Sequence, residues 1–309
     1  MKDLLKRDEV SGRPDQRPFN EVRPGHWTVL EDSKGRVPGV LQSQGRMWRE
    51  QRRFLLRNLR DFGFGKSEME DTLLDEIEKL CNEYAKNVGK PTCLDNTLNV
   101  SILNALWAIL VGEKLPLNDP KILKIVSAFN TAIKESKGFS KFIFLLPHPK
   151  LILLFGKVRE GLNGFADTIK GISLLIEDQI EEHKRSYDAD NIRDMTDLFL
   201  KEIENTTDTQ SSFYKERGQF SMINDFIDLF LAGMETTSTS LLWTFLYLLH
   251  HPDIKRKIHL ELDMVRTRNT KNLLDPLNFN DALKCTFLLV NFGYDFIFYR
   301  LLVQVTRQD

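Results

Sequence analysis

Apolar residues in this chain return every third or fourth position and almost never every second, so the sequence predicts a fold built from helices. Between Ser67 and Gly89 the series Met69, Leu73, Ile77, Leu80, Tyr84 and Val88 keeps one face apolar. Ser67 with Glu70 has the form of a capping box, and Gly89 reads as the stop. The same spacing predicts helices over Asn96–Val111, Pro120–Lys137, Lys157–Tyr187, Asp194–Glu204 and Met222–His251. Another opens at Pro252, a residue suited to a first turn. Convincing alternating strands are nearly absent, so the expected fold class is mainly α. Arg13 to Val40, with Pro14, Pro18, Pro24 and Pro38, reads as loop.

Composition narrows the function. The 309 residues suffice for a sizeable core, and 41% apolar with 28% charged residues is ordinary for a globular protein. A net charge of −1 provides no global field for nucleic acid or an anionic membrane. Cys81, Cys93 and Cys285 are far apart and odd in number, which fits neither a disulfide framework nor a metal knuckle and suits a reducing compartment. The charged start "MKDLLKRDEV" does not read as a signal peptide, and no long uncharged apolar run is present to span a bilayer. "FIFLLPHPKLILLFG", Phe142 to Gly156, reads equally well as two short apolar pieces resting on a bilayer surface and as a buried helix–loop–helix.

One predicted helix breaks its own rules. "FLAGMETTSTSLLWTFLYLLHHP", Phe230 to Pro252, is apolar at its ends but carries Gly233, Glu235, Thr236 and Thr237 in its middle. Glycine there costs about 1 kcal/mol against alanine. Asp228, Ala232, Thr236 and Ser240 lie four apart and share a stripe. The Thr236 hydroxyl is placed to bond the Ala232 carbonyl and bend the helix. Two readings fit. Small residues could let a neighbouring helix pack closely, or Ala232 and Gly233 could form a notch in which Glu235 and Thr236 relay protons to a bound oxygen species.

A second cluster is "MWREQRRF", Met47 to Phe54. Trp48 and Arg52 are four apart, so an indole N–H and a guanidinium can address one anionic target. Six arginines fall between Arg46 and Arg60, which fits a solvated basic face or a phosphate-binding patch. The near-neutral total charge and the lack of a recognition motif argue against a nucleic-acid partner.

The pieces, taken in order, resemble the cytochrome P450 family. "AGMETTSTS" looks like that family's distal-helix motif, and "LLHHPDIKRKIHLELD" resembles its continuation into a helix opening with His-Pro. The Trp-x-x-x-Arg spacing is similar to the family helix whose Trp and Arg bond haem propionates. "VSGRP" resembles the end of an early family helix. "GVLQSQGRMWREQRRF" and "IRDMTDLFLKEIE" look like segments of the animal microsomal group called clan 2. Phe142 to Gly156 falls where the family has a membrane-dipping access region.

The resemblance implies the central helical part of the P450 fold over residues 1–284, without the N-terminal sheet strands and the C-terminal haem-thiolate region. It implies a haem b cofactor, with Trp48 and Arg52 on the propionates and with Ala232, Gly233 and Thr236 bordering the haem. Glu235 and Thr236 would be catalytic, managing proton delivery. It further implies a lipophilic small-molecule substrate, monooxygenation using O2, electrons from NADPH through a reductase with cytochrome b5 as a further candidate donor, and the cytosolic face of the endoplasmic reticulum membrane. The Pro38–Gly45 loop and the Met222–Ala232 half of the distal helix would line the pocket.

The match breaks near Lys284. The family's Phe-x-x-Gly-x-x-x-Cys-x-Gly signature fits none of the cysteines, so no metal ligand is assigned. Lys86 and Asp95 stand in the wrong places around Cys93, Asp281 and Phe287 around Cys285, and Ile77 and Glu83 around Cys81. Thr286 and Leu289 occupy the positions of the family's Glu-x-x-Arg pair. The expectation is a fragment truncated at both ends, with a non-family tail over 285–309 that resembles translated intron or a shifted frame. Such a chain would be inactive by itself. A non-catalytic helical protein that binds ligands or partners, or a non-functional truncated product, is the other reading.

Overall fold

In the computed structural model, the described residues are 39–41, 43–62, 67–113, 116–120, 122–124, 126–127, 130 and 156–269. Their regular elements are helices, and no strand occurs among them. The expected Arg13–Val40 loop lies almost entirely outside these residues. So do most of the Phe142–Gly156 segment, residues 131–137 of the expected Pro120 helix, and the 285–309 tail. The helices are α1 (Gly45–Asp61), α2 (Ser67–Ala85), α3 (Asp95–Val111), α4 (Gly156–Ser186), α5 (Met195–Asn205), α6 (Glu216–His250) and α7 (Pro252–Asn269). Among the described residues, no helix is long and apolar enough to cross a membrane.

The chain divides into two compact units, one of Met1–Leu56 with Lys124–Leu229 and one of Arg57–Leu123 with Phe230–Asp309. The first centres on aromatic rings. Phe54 of α1 packs 4.5 Å from Phe199 of α5 and 5.0 Å from Phe213, and Phe226 of α6 meets Phe199 edge-on at 5.7 Å. Ile169, Ile172, Ile176 and Ile180 supply the buried stripe of α4 at three- and four-residue spacing.

Polar groups fix the ends of these helices. Asp194 caps α5, its carboxylate accepting the Asp197 N–H at 3.0 Å. Glu50 of α1 accepts the Ser212 N–H and hydroxyl, both at 2.8 Å, and so ties α1 to the turn before α6. Gly218 lets α6 begin there, because a Cβ on it would lie 2.5 Å from the Phe213 carbonyl oxygen.

The second unit is a four-helix core. Ile77, Leu80 and Cys81 of α2, Leu98 and Ile102 of α3, Leu241 and Leu248 of α6, and Ile258 and Leu262 of α7 form one buried cluster. The Asn104 amide donates to Glu76 at 3.2 Å, so the α2–α3 interface satisfies its buried carboxylate. α3 ends at Gly112, in the left-handed region at φ 75°, where the cap N–H donates to the Ala108 carbonyl.

Several boundaries differ from the sequence expectation. α2 stops at Ala85, and the chain then turns through bonds from Asn87 to Tyr84 and Lys90 to Asn87, reaching Gly89 at φ 77° outside the helix. α6 starts at Glu216, earlier than the expected Met222.

Candidate functional site

α1 turns one face inward, with Gln51, Phe54, Leu55 and Asn58 buried. That seating leaves Arg46, Arg49, Arg52, Arg53, Arg57 and Arg60 exposed on the other side. Trp48 is half-buried, and the Arg52 guanidinium carbon lies 5.5 Å from its ring centroid. The structure thus brings the Trp48 and Arg52 side chains together. A guanidinium stacked on an aromatic face keeps its planar N–H edge for a carboxylate.

The pair is held in register by its helix neighbours. Arg46 bonds Glu50 at 2.5 Å and also pairs with Asp208. Burial pushes the Glu50 carboxyl up, but the Ser212 amide and hydroxyl and the Arg46 guanidinium outweigh it and hold the group below its ordinary range. Gln51 adds a bond from its amide to the Ser212 hydroxyl at 2.9 Å.

In α6, Ala232, Thr236 and Ser240 form an exposed stripe of small residues. The Thr236 hydroxyl donates to the Ala232 carbonyl at 2.5 Å, as expected from spacing, and Ser240 and Thr244 repeat the pattern at 2.8 and 2.9 Å. Three hydroxyls therefore sit on successive turns, each bonded four residues back. Glu235 is half-buried beside this stripe, and its Oε1 accepts the Thr239 hydroxyl at 3.3 Å.

Gly233 points elsewhere. A Cβ built on it would meet Leu106 Cδ1 of α3 at 2.7 Å, so the room that glycine leaves is taken by a neighbouring helix. One turn earlier, Phe230 stacks on Trp107 of α3 with centroids 5.1 Å apart and planes at 17°. The two readings of the notch thus divide between adjacent residues. Gly233 serves close helix packing, while Ala232 and Thr236 present a shallow open face.

Each feature stands in its own unit, the Trp48–Arg52 pair in the first and the Ala232–Thr236 face in the second. Neither described cysteine offers an axial thiolate of the expected type. Cys81 lies in the core with its thiol pushed up to about 11 by burial, and Cys93 is exposed outside the family's signature. Cys285 lies outside the described residues.

One cluster was not foreseen. His183 of α4, Asp194 and Asp197 bring ligand-type atoms within 4.8 Å of one another, all buried. The Asp194 carboxylate bonds His183 Nε2 at 2.7 Å, while Arg193 grips both oxygens of Asp197 at 2.7 and 2.9 Å. The guanidinium occupies the acceptors a cation would need, so this is a tie between α4 and α5. The sequence signal was Asp194 standing three residues before Asp197 at a helix start.

Comparison with known proteins identifies the family of the sequence. A family model described as Cytochrome P450 matches residues 5–281. The chain is 28% identical over 297 residues to cytochrome P450 18a1 of Drosophila melanogaster, covering 93% of this chain and 52% of that one. It is 31% identical over 263 residues to cytochrome P450 2D3 of Rattus norvegicus, covering 84% and 49%. It is 33% identical over 228 residues to the vitamin D(3) 25-hydroxylase of Sus scrofa, covering 73% and 44%. The chain spans about half the length of these curated relatives. A match over residues 5–281, nearly the whole chain, makes this chain a member of the cytochrome P450 family.

Proposed function

We propose that this chain supplies the propionate-anchoring helix and the distal helix of a haem-thiolate monooxygenase. The complete protein inserts one oxygen atom from O2 into a lipophilic small molecule. The observation that carries this reading is the open Ala232–Thr236 face of α6, where the Thr236 hydroxyl donates to the Ala232 carbonyl. When bound, haem supplies the dioxygen chemistry, and the family's cysteine ligand has no counterpart among Cys81 and Cys93.

The chain's own residues then act as follows. Trp48 and Arg52 hold the propionates by N–H donors. Ala232 leaves space on the distal side, and Gly233 seats α6 against Leu106 so that this space stays where it is. Thr236 Oγ1 holds a proton that it now shares with the Ala232 carbonyl, and the Glu235 carboxylate stands one residue away as the group that replenishes it. The Pro38–Gly45 loop and the Met222–Ala232 half of α6 line the substrate side. The exposed arginines of α1 suit an acidic electron donor, a reductase drawing on NADPH or cytochrome b5. The cytosolic face of the endoplasmic reticulum membrane is the proposed location.

Residues 1–284 form the family part of the chain, and 285–309 form a segment of other origin. With no cysteine in the family's signature, this polypeptide by itself does not turn over. Transcripts sequenced across the codon for Lys284 test the division. Most of them continuing into Glu-x-x-Arg and a cysteine loop fits the proposal, whereas uniform termination after Asp309 removes the enzyme reading from this product. The test of the site is Thr236→Ala in a chain completed by a family C-terminal region. The substitution should divert reducing equivalents from product to peroxide, and unchanged coupling defeats the assignment.

A further inference from the structure

Two hydroxyls on one turn of α6 converge on Glu235. The buried Ser238 donates its hydroxyl to the Glu235 carbonyl at 3.2 Å. The Thr239 hydroxyl donates to the Glu235 side chain, at Oε1 and 3.3 Å. Thr236, Ser240 and Thr244 place their hydroxyls differently, each on the backbone carbonyl four residues earlier. That back-bond is the ordinary choice of a threonine inside a helix. For Thr239 the corresponding acceptor is the Glu235 carbonyl, whose two lone pairs are taken by the helical N–H and by Ser238. The Thr239 hydroxyl therefore turns to the carboxylate, and it is the hydrogen-bond partner of that group among the described residues.

The direction of this bond matters. An α-helix advances about 100° per residue, so with Glu235 as origin Thr239 stands about 40° round the axis. Ala232, Thr236 and Ser240, the exposed stripe, stand on the same side at about 60°, 100° and 140°. Ser238 and Met234, both buried, stand on the other side at about −60° and −100°. Glu235 thus lies on the border between the packed face of α6 and its open face. The bond to Thr239 draws the carboxylate across that border, toward Ala232 and Thr236.

A glutamate side chain loses much rotamer freedom when it is confined, so holding it in one place needs a partner. Thr239 suits that task because a β-branched side chain in a helix has little χ1 freedom of its own. At 3.3 Å the contact is longer than the usual hydroxyl–oxygen distance, so the carboxylate is held without being locked. A group that passes protons needs both properties: it stands within reach of its acceptor and still turns toward it.

We propose that Thr239 is a positioning residue for proton delivery: its hydroxyl keeps the Glu235 carboxylate on the open side of α6, beside Thr236. The inference rests on the reading of Glu235 and Thr236 as the proton-delivering pair. Thr239 does not carry the proton itself. Without its hydroxyl the carboxylate spreads over other rotamers, and the share of time it spends beside Thr236 falls. One modest hydrogen bond biases such a population by about twofold to tenfold.

The first readout is infrared spectroscopy of the full 309-residue chain carrying isotope-labelled glutamate. In each background the Glu235 band is isolated as the difference from the same chain with Glu235→Gln. Thr239→Val keeps the shape of the side chain, and Thr239→Ala favours the helix, so a folded variant without the hydroxyl is at hand. Both should move the band, and Thr239→Ser should return it to the wild-type position. A band that stays in place without the hydroxyl, or that serine does not restore, overturns the proposal. The second readout is coupling in the chain completed by a family C-terminal region. Thr239→Ala should raise the reducing equivalents lost to peroxide by about twofold to tenfold, and Thr239→Ser should reverse the loss. Coupling unchanged in Glu235→Gln defeats the proton-delivery reading and this inference with it. Coupling lost in Glu235→Gln but kept in Thr239→Ala leaves that reading standing and overturns the role of Thr239 alone.

Discussion

Gly233 and Leu106 fit so closely that a methyl group on the glycine would lie 2.7 Å from Leu106 Cδ1. The contact explains why a helix-averse glycine stands in the middle of α6. Gly233→Ala gains up to about 1 kcal/mol of helix propensity and loses a similar amount as the end of the leucine side chain moves aside. Urea unfolding should therefore find it within about 1 kcal/mol of wild type. Gly233→Val leaves no such escape and should cost about 1–3 kcal/mol, reduced when Leu106→Ala is added.

His183 and Asp194 should give stability a pH dependence. The hydrogen bond to Asp194 raises the His183 imidazole above its ordinary value, against a desolvation cost that lowers it. The stabilisation is fully present below the unfolded value near 6.5 and is lost as pH rises through the folded value. Denaturant midpoints should fall over that interval, and His183→Gln should remove this part of the slope. Asp197 works in the opposite direction: burial raises it, but Arg193 holds it below its ordinary range, so its contribution is lost on acidification.

The tie between Glu50 and Ser212 should decide how firmly α1 is seated. Glu50→Ala leaves the Ser212 N–H without its acceptor and should cost about 1–3 kcal/mol. Glu50→Gln keeps an acceptor and should cost less. The wild-type contribution is present above the ordinary carboxylate range and fades as pH falls through the lowered Glu50 value, which an acid unfolding series would reveal.

Thr236 separates fold from function. Its hydroxyl bonds locally to a carbonyl that already belongs to the helix, so Thr236→Val should change stability by less than about 1 kcal/mol. Thermal unfolding checks that part. Loss of coupling in the completed enzyme, with the fold intact, then isolates the hydroxyl.

The helices were legible because their signals are local. Asn96–Val111 was expected and α3 spans Asp95–Val111; Asp194–Glu204 was expected and α5 spans Met195–Asn205, with Asp194 as its cap. The start of α6 was not legible. "ERGQFS" has weak apolar periodicity and a glycine, and it is held by distant groups, the Phe213 carbonyl beside Gly218 and the Ser212 carbonyl that accepts the Ser221 hydroxyl. At the site, the Thr236–Ala232 bond was readable from four-residue spacing, whereas the partner of Gly233 lies on another helix and leaves no trace near it in sequence. Asp225 shows the same limit. Its sequence neighbours "INDFID" give no hint that both carboxyl oxygens end up dry.

The central proposal is that Trp48 and Arg52 of α1 and Ala232 of α6 each contact haem, and titration of haem into the 309-residue chain tests it directly. One haem should bind per chain with quenching of tryptophan fluorescence. Arg52→Ala and Ala232→Trp should each weaken binding about tenfold or more, a loss of about 1.4 kcal/mol. Arg185→Ala, on the exposed end of α4, should bind as wild type does. No saturable binding, or equal affinity in all the variants, would contradict the account.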